Sequence, residues 1–182
     1  MQTKSKSNKI FYIIQGYPGS GKTSCHYKLQ KAHCDKQMNH MFYEDSITEF
    51  IEEGMNPLKA KYLVDQLTES NIFTNPDIYV LEDVRLQSDR RKYAQVAETQ
   101  GYQVVIINFT KPKLIENKLY SEYVKWLGKT KSKFPKDPNI AISKLRQFDI
   151  MFEPLTKDEK ENYKVINVPS FIDSFIETQT II

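Results

Sequence analysis

An eight-residue glycine-rich stretch constrains this sequence more than any other feature. It matches every fixed position of the pattern G-x-x-x-x-G-K-[ST] and reads Gly16-Tyr17-Pro18-Gly19-Ser20-Gly21-Lys22-Thr23. The β-forming residues at 9–15 predict a buried strand before it, and the scarcity of helix breakers over 23–32 predicts a helix after it. A strand, a glycine-rich turn and a helix start in this order are typical of a loop that binds phosphate groups.

Each residue type in this stretch has a chemical reason to be there. Glycines allow the backbone to turn its N–H groups towards one anion, and the start of the next helix adds partial positive charge at the same place. Lys22 supplies a full charge for the outer phosphates, and Thr23 supplies a hydroxyl for Mg²⁺. We therefore predict that residues 16–23, with the adjacent Ser24, bind ATP or another nucleoside triphosphate together with Mg²⁺.

The rest of the chain predicts an α/β architecture. With 182 residues, one domain is expected over 9–182, preceded by a flexible basic arm at 1–8. Further strands are predicted at 40–43, 78–81, 102–109 and 163–168, alternating with helices at 46–53, 57–69, 88–100, 112–127, 140–152 and 170–177. This alternation predicts a three-layer P-loop NTPase or kinase fold, in which helices cover both faces of a mostly parallel sheet.

Two details of these helices can be tested directly. The helix at 57–69, with its Asn-Pro start signal, is expected to turn its large apolar residues inward, namely Leu58, Tyr62, Leu63, Leu67 and with them Val64. A lysine-rich lid or loop is expected over about 111–137. Its segment 125–136, which includes Trp126 and Phe134, is either a lid, a strand-binding surface or a solvated loop.

Composition excludes some classes of protein. The net charge of +3 is too small to indicate a nucleic-acid partner by itself. Two cysteines, Cys25 and Cys34, do not suggest a disulfide framework or a metal knuckle, so a reducing cytoplasmic setting is expected. No apolar run approaches the ~20 residues that a membrane span needs. The sequence therefore predicts no membrane partner, and it does not indicate an oligomeric state.

Two carboxylates follow predicted strands at the edge where the loop lies. Asp83 follows the strand at 78–81, the expected place for an acid that holds Mg²⁺ directly or through its waters; a turn residue is the alternative. Asp45 follows the second strand, where it can accept the proton of an acceptor hydroxyl; capping the next helix is the alternative. We predict catalytic roles for Asp45 and Lys22 and metal-linked roles for Thr23 and Asp83.

Basic residues further along the chain are candidates for an acceptor or phosphate site. Arg90 and Arg91 are predicted in the first turn of a helix, where the helix dipole disfavours cations, so helix stability does not explain them. A solvated surface position is the alternative. The full set of candidates is Arg85, Arg90, Arg91, Lys118, Lys125 and Arg146.

Several segments together resemble the phage-type polynucleotide 5′-kinase family, over roughly residues 9–167. The loop at 16–23 resembles that family's G-x-P-G-S-G-K-[ST]. Residues 80–91, Val-Leu-Glu-Asp-Val-Arg-Leu-Gln-Ser-Asp-Arg-Arg, resemble its strand, aspartate, leucine and acid-Arg-Arg helix start. Residues 93–105 fit the helix, glycine and strand that follow, and residues 152–159 resemble a phenylalanine-glutamate-proline element.

The resemblance implies ATP-dependent transfer of a phosphoryl group to the 5′-hydroxyl end of DNA or RNA. It implies that Lys22 and Thr23 bind the triphosphate and its metal, that Asp45 activates the hydroxyl and that Asp83 lies near the metal. The chain departs from the family at two places. Thr48 replaces an arginine that contacts the acceptor's 3′-phosphate, and the helix of the family's arginine-rich lid has no arginine here. Lys118, Lys125 and Arg146 are the candidates to replace that lid arginine.

Two other functions stay open on the sequence. A kinase of a small acceptor, such as a nucleoside, nucleotide or sugar nucleotide, also needs the loop and Asp45, and the zeta-toxin kinases share the G-x-P-G loop. A nucleotide-binding module without catalysis needs the loop alone. The absence of an N-K-x-D signature after a strand argues against a GTPase.

Overall fold

Five strands form one sheet at the centre of the computed structural model, which describes residues 9–129 and 135–174. They are β1 (Ile10–Gln15), β2 (Met38–Phe42), β3 (Ile78–Glu82), β4 (Gln103–Phe109) and β5 (Lys164–Val168). Their order across the sheet is β2-β3-β1-β4-β5, and every neighbouring pair is parallel. The predicted α/β fold with a parallel sheet is confirmed.

Helices connect the strands and cover both faces of the sheet. In chain order they are α1 (Lys22–Ala32), α2 (Tyr43–Glu52), α3 (Pro57–Phe73), α4 (Gln87–Thr99), α5 (Lys113–Glu116), α6 (Tyr120–Leu127), α7 (Pro138–Met151) and α8 (Lys157–Asn162). One sheet face packs against α2, α3 and α4, and the other packs against α1. A third apolar cluster joins α5, α6 and α7 to the side chain of Tyr17 in the glycine-rich loop.

The alternation of strand residues between the two faces decides which polar groups meet at the carboxyl edge. In β3, Val80 packs on the α1 side and Leu81 on the other side, so Glu82 points towards α1. In β1, Ile13 packs on the α2–α4 side, so Gln15 points to that face. Both polar residues are buried at the ends of their strands, where ligands of parallel sheets bind.

The predicted inward face of α3 is correct for Val64, which is buried, and wrong for the large residues Leu58, Tyr62 and Leu67. Leu58 and Tyr62 are 82% and 65% exposed, whereas the buried residues are Ala60, Val64, Thr68 and Ile72. These four are spaced every four residues, so they lie along one face of the helix. The start of α3 follows the predicted cap, since the Asn56 side chain accepts a hydrogen bond from the Leu58 N–H.

Other predicted boundaries also need correction. The single helix predicted at 112–127 is broken into α5 and α6, because Lys118 adopts a left-handed conformation with φ of 60°. The helix α8 was missed, although Thr156 and Glu159 form a capping box at its start. Residues 171–174 begin the last predicted helix, and the rest of it lies outside the described residues, as do the arm at 1–8 and Phe134.

Within residues 9–129 and 135–174, no helix is long and apolar enough to cross a membrane. That residues 9–182 form a single domain stays a prediction.

Candidate active site

The glycine-rich loop connects the carboxyl end of β1 to the N-terminus of α1. Gly21 is the N-cap of α1, with φ of 108°, which a glycine adopts without steric cost. Gly19, with φ of 74°, lies directly beneath α6. A Cβ atom added there would lie 2.5 Å from Leu127 Cδ2 and 2.8 Å from Trp126 Cζ3. The missing side chain therefore allows α6 to pack onto the loop.

We expect the substitution Gly19→Ala to destabilise the protein through both strain and overpacking. Gly101→Ala is the matched control, because Gly101 has φ of 80° and an added Cβ would meet nothing within 4 Å. The control should cost about 1–2 kcal/mol of backbone strain, and Gly19→Ala about 1–3 kcal/mol more. Urea unfolding measures both values. Equal losses in the two variants would show that α6 does not press on the loop.

Lys22 extends into the loop that precedes it. Its Nζ atom donates hydrogen bonds to the carbonyl oxygens of Gly16 (2.9 Å) and Tyr17 (3.1 Å) and lies 3.5 Å from Asp83 Oδ1. The Lys22 and Asp83 side chains are only 10% and 13% exposed, so little water screens this pair. The ammonium group is thus held at the mouth of the loop, where the predicted phosphates would lie.

Thr23 donates its hydroxyl hydrogen bond to Glu82, not to Asp83. The distance from Thr23 Oγ1 to Glu82 Oε1 is 3.0 Å. The second oxygen, Oε2, is buried and has no hydrogen-bond partner among the described residues; His26 Nδ1 lies 4.0 Å from it. Sequence reasoning selected Asp83 and missed Glu82. The signal was available in the alternation of β3, which places Glu82 on the α1 side with Thr23.

Thr23 and Glu82 fit the donor set that Mg²⁺ prefers. Both offer oxygen ligands, and Mg²⁺ is usually held by one or two carboxylates together with phosphates and water. The unpartnered Oε2 of Glu82 is the observation that favours a cation here, because a buried carboxylate oxygen without a partner is otherwise costly. These are the residues that would hold the metal.

Burial raises the pKa of Glu82 from its ordinary value of 4.5 to about 7; Asp83 and Asp45 add to the rise, and Lys22 and Thr23 oppose it. Between pH 4.5 and about pH 7, Glu82 is protonated in the folded protein and ionised in the unfolded chain. The contribution of Glu82 to the free energy of unfolding therefore falls as the pH rises from 4.5 to about 7 and is constant above that.

We expect Glu82→Gln to remove this dependence. In urea unfolding without Mg²⁺, the free energy of unfolding of the variant should rise relative to that of the wild type as the pH rises from 5 to 7, by up to about 1.4 kcal/mol per pH unit. His26, whose pKa is lowered by burial, and Glu44, whose pKa is raised by burial, titrate in both proteins. The difference between the two proteins therefore reports Glu82 together with the groups that its charge contacts, such as His26. A difference that does not change with pH would contradict the raised pKa.

Asp83 lies in the left-handed region, with φ of 66°, between two cations. Arg85 Nη2 donates to Asp83 Oδ2 at 2.9 Å, and Lys22 Nζ lies 3.5 Å from Asp83 Oδ1. Burial alone would raise the pKa of Asp83, but the charges of Lys22 and Arg85 outweigh it and hold the pKa below its ordinary value. Asp83 is therefore a charged link between Lys22 and Arg85.

Glu44 and Asp45 occupy the start of α2, directly after β2, and face different partners. Glu44 Oε2 lies 3.9 Å from Arg85 Nη1, and burial raises the pKa of Glu44. Asp45 is exposed, and its charge contributes to the raised pKa of Glu82. The structure thus brings Asp45 to the same edge as Lys22, Thr23, Glu82 and Asp83.

Arg90 does not lie at this edge. It is 1% exposed, and its guanidinium donates to both carboxylate oxygens of Glu159, at 2.7 and 3.1 Å. It also donates to the backbone carbonyls of Arg85, Glu153 and Pro154. The prediction that Arg90 binds an acceptor or phosphate is therefore wrong, because its donors are already used inside the protein. Arg91 is exposed and lines a groove between α3 and α4.

The remaining candidate cations follow β4, with Lys118 in the link between α5 and α6, Lys125 on α6 and Arg146 on α7. Lys118 Nζ is 3.3 Å from Asp149 Oδ2, and the Arg146 guanidinium lies 5.5 Å from the centre of the Tyr120 ring. Lys125 is exposed on α6. Asp149 also accepts a hydrogen bond from the Tyr17 hydroxyl at 2.6 Å, so these helices are tied to the glycine-rich loop.

Tyr17 and Pro18 link the loop to these helices. The Tyr17 ring packs against Phe148 and Phe152, with centroid distances of 5.2 and 5.0 Å. The Tyr123 hydroxyl donates to the Pro18 carbonyl at 2.6 Å. The helices after β4 are thus packed onto the loop through aromatic side chains.

Comparison with solved structures gives the fold. A gluconokinase from Sinorhizobium meliloti 1021 matches with a TM-score of 0.55 and 12% identity, over 91% of this chain and 85% of its own. A protein of the PezAT toxin–antitoxin system of Streptococcus pneumoniae matches with a TM-score of 0.54 and 18% identity, over 92% of this chain and 70% of its own. This chain has a P-loop kinase fold.

No protein-family model matches the sequence, and no curated protein sequence is significantly similar to it. The likeness to solved structures therefore shows the fold.

Proposed function

We propose that this P-loop kinase-fold protein transfers the terminal phosphoryl group of ATP, or of another nucleoside triphosphate, to a hydroxyl group with the help of Mg²⁺. The observation that carries the proposal is that two residues of the loop each contact an acid at the end of the neighbouring strand. Lys22 contacts Asp83, Thr23 contacts Glu82, and both acids end the strand next to β1. A loop that only held phosphate would not need Asp83, Arg85 and Asp45 at the same edge.

In this proposal each side chain has a defined task. Lys22 leaves the carbonyls of Gly16 and Tyr17 and binds the transferred phosphoryl group, where positive charge stabilises the transition state. Arg85, positioned by Asp83, adds a second cation at that edge. Asp45 accepts the proton of the attacking hydroxyl. Bound Mg²⁺, held at Thr23 and Glu82, would neutralise charge on the phosphates.

The contacts of the predicted basic residues favour a small acceptor. Arg90 is buried against Glu159, so one cation predicted for an acceptor or phosphate has its donors used inside the protein, whereas Lys118 pairs with Asp149 at the surface. Thr48, at the place of the family's acceptor arginine, donates its hydroxyl hydrogen bond to the Glu44 carbonyl. The 5′-hydroxyl end of DNA or RNA is the second candidate, supported by the resemblance around Asp45 and Asp83.

The test is transfer of labelled phosphate from γ-labelled ATP with Mg²⁺. The acceptors are 5′-hydroxyl DNA and RNA oligonucleotides and a panel of nucleosides, nucleotides, sugars and sugar nucleotides. Lys22→Ala should lower the transfer rate about 10²–10³-fold. Lys28→Ala, an exposed lysine of the same helix, is the matched control and should leave the rate unchanged.

The distribution of label identifies the acceptor class. Label on a small molecule alone supports the first candidate, and label on an oligonucleotide supports the second. ATP binding without transfer to any acceptor would contradict a kinase and leave a nucleotide-binding module.

A further inference from the structure

A cavity of about 370 Å³ opens at the carboxyl ends of β4 and β5. It lies on the sheet face that also carries α2 to α4, under the segment that joins α7 to α8. Its walls include the ring of Tyr17 from the glycine-rich loop and the ring of Phe152. A volume in this range is typical of sites for small organic ligands.

An aromatic wall separates this cavity from the Lys22–Asp83–Arg85 group. The Arg85 guanidinium lies 4.4 Å from the centre of the Phe148 ring. Phe148 in turn stacks on Phe152 at 5.6 Å and packs on Tyr17 at 5.2 Å. Because Phe152 and Tyr17 line the cavity from the other side, a ligand there would contact the loop without occupying the proposed transfer site.

Part of the cavity lining is a row of amides that crosses three strands. Gln15 Nε2 donates to Asn108 Oδ1 at 2.8 Å, and Asn108 Nδ2 donates to Asn167 Oδ1 at 2.9 Å. Asn108 and Asn167 line the cavity. At the buried end of the row, Gln15 Oε1 has no hydrogen-bond partner among the described residues. Apolar side chains would suffice to fill this edge of the sheet, so the amides indicate a polar occupant.

Two lysines add positive charge to the lining. Lys111 pairs with Asp149 at 2.5 Å, and Lys160 is an exposed residue of α8 at the rim. With one carboxylate and two ammonium groups, the lining carries a net charge of +1. An anionic group of a ligand would therefore find its partner in Lys160, which has no carboxylate partner among the described residues.

We propose that this cavity is a second ligand site, which binds a small organic anion with a planar ring, of the class of nucleoside monophosphates. The ring packs on the face of Phe152, beside Tyr17, whose own ring already contacts Phe152. The amides of Asn108 and Asn167 bind the polar edge of the ring, and Lys160 binds the phosphate group. This site is independent of the proposed transfer chemistry.

Isothermal titration calorimetry with AMP, GMP, CMP and UMP tests the proposal on the whole chain. We expect at least one of the four to bind, and binding to be retained in Lys22→Ala, which removes the lysine of the glycine-rich loop. Lys160→Ala and Asn167→Leu should each weaken binding about tenfold or more, since each removes a hydrogen bond to the ligand. Lys157→Ala, another exposed lysine of α8 outside the cavity, is the matched control.

Two results would overturn the proposal. One is the absence of binding by all four nucleotides at millimolar concentration. The other is binding that is lost in Lys22→Ala and unchanged in Lys160→Ala, which would place the nucleotide on the glycine-rich loop. Because no phosphoryl transfer is measured, failure here is distinct from failure of the proposed kinase activity. Urea unfolding of Asn167→Leu shows whether that variant keeps the fold.

Discussion

The substitution Asp45→Asn is expected to lower kcat for phosphoryl transfer about 10²–10⁴-fold, the usual range for loss of a general base. Asparagine keeps the size of the side chain but cannot take up the proton of the acceptor hydroxyl. ATP binding should be retained, because Lys22 keeps its contacts with Gly16 and Tyr17 and Thr23 keeps its contact with Glu82. Steady-state kinetics with the identified acceptor, together with a calorimetric titration of ATP, measure both quantities.

Two neighbouring residues on α2 make this experiment decisive. Glu49→Gln removes an exposed carboxylate from the same helix and should leave kcat unchanged. Glu44→Gln tests the other acid at the start of the helix, which faces Arg85. If Glu44→Gln abolishes transfer while Asp45→Asn does not, the proton acceptor is Glu44 and the assignment to Asp45 is contradicted.

The substitution Arg90→Leu is expected to lower the free energy of unfolding by about 3–5 kcal/mol, as is typical when one partner of a buried ion pair is removed. The variant leaves the Glu159 carboxylate buried and deprives three backbone carbonyls of a donor. Glu159 also accepts from the Thr156 backbone and hydroxyl, so the capping box of α8 depends on the same carboxylate. Urea unfolding followed by circular dichroism measures the loss.

The adjacent arginine provides the control. Arg91 is exposed one residue further along α4, and Arg91→Leu should change the free energy of unfolding by no more than about 0.5 kcal/mol. The double variant Arg90→Leu, Glu159→Leu should be more stable than the sum of its single variants predicts, because neither charge is then left buried alone. Similar losses in Arg90→Leu and Arg91→Leu would show that the buried pair is not important for stability.

The sheet and the loop could be predicted because their signals are local. An apolar strand, a glycine-rich turn and a helix start occupy about twenty consecutive residues, and the alternation of strands and helices defines a parallel sheet. Parallel strands bring their carboxyl ends to one edge, so the approach of Asp45 and Asp83 to the loop also followed from the sequence.

The failures arose where a distant partner decides the role of a residue. Arg90 and Arg91 look alike in the sequence, and only Glu159, 69 residues away, distinguishes them. In α3 the large apolar residues suggested an inward face, but of the predicted set only Val64 is fully buried, together with Ala60, Thr68 and Ile72. Glu82 differs from these cases, because the alternation of β3 already places it on the α1 side with Thr23. No local pattern contains the contacts of Arg90 or of α3.

Trp126 is the only tryptophan of the chain, and its indole ring is packed over Gly19 in the glycine-rich loop. The tryptophan fluorescence of the protein therefore comes from a single reporter beside the predicted phosphate site, with no label and no engineered probe. Excitation at a wavelength selective for indole would follow a nucleotide entering the loop, in stopped-flow as well as at equilibrium. The packing that restricts residue 19 to glycine thus also makes the loop observable by its own optical signal.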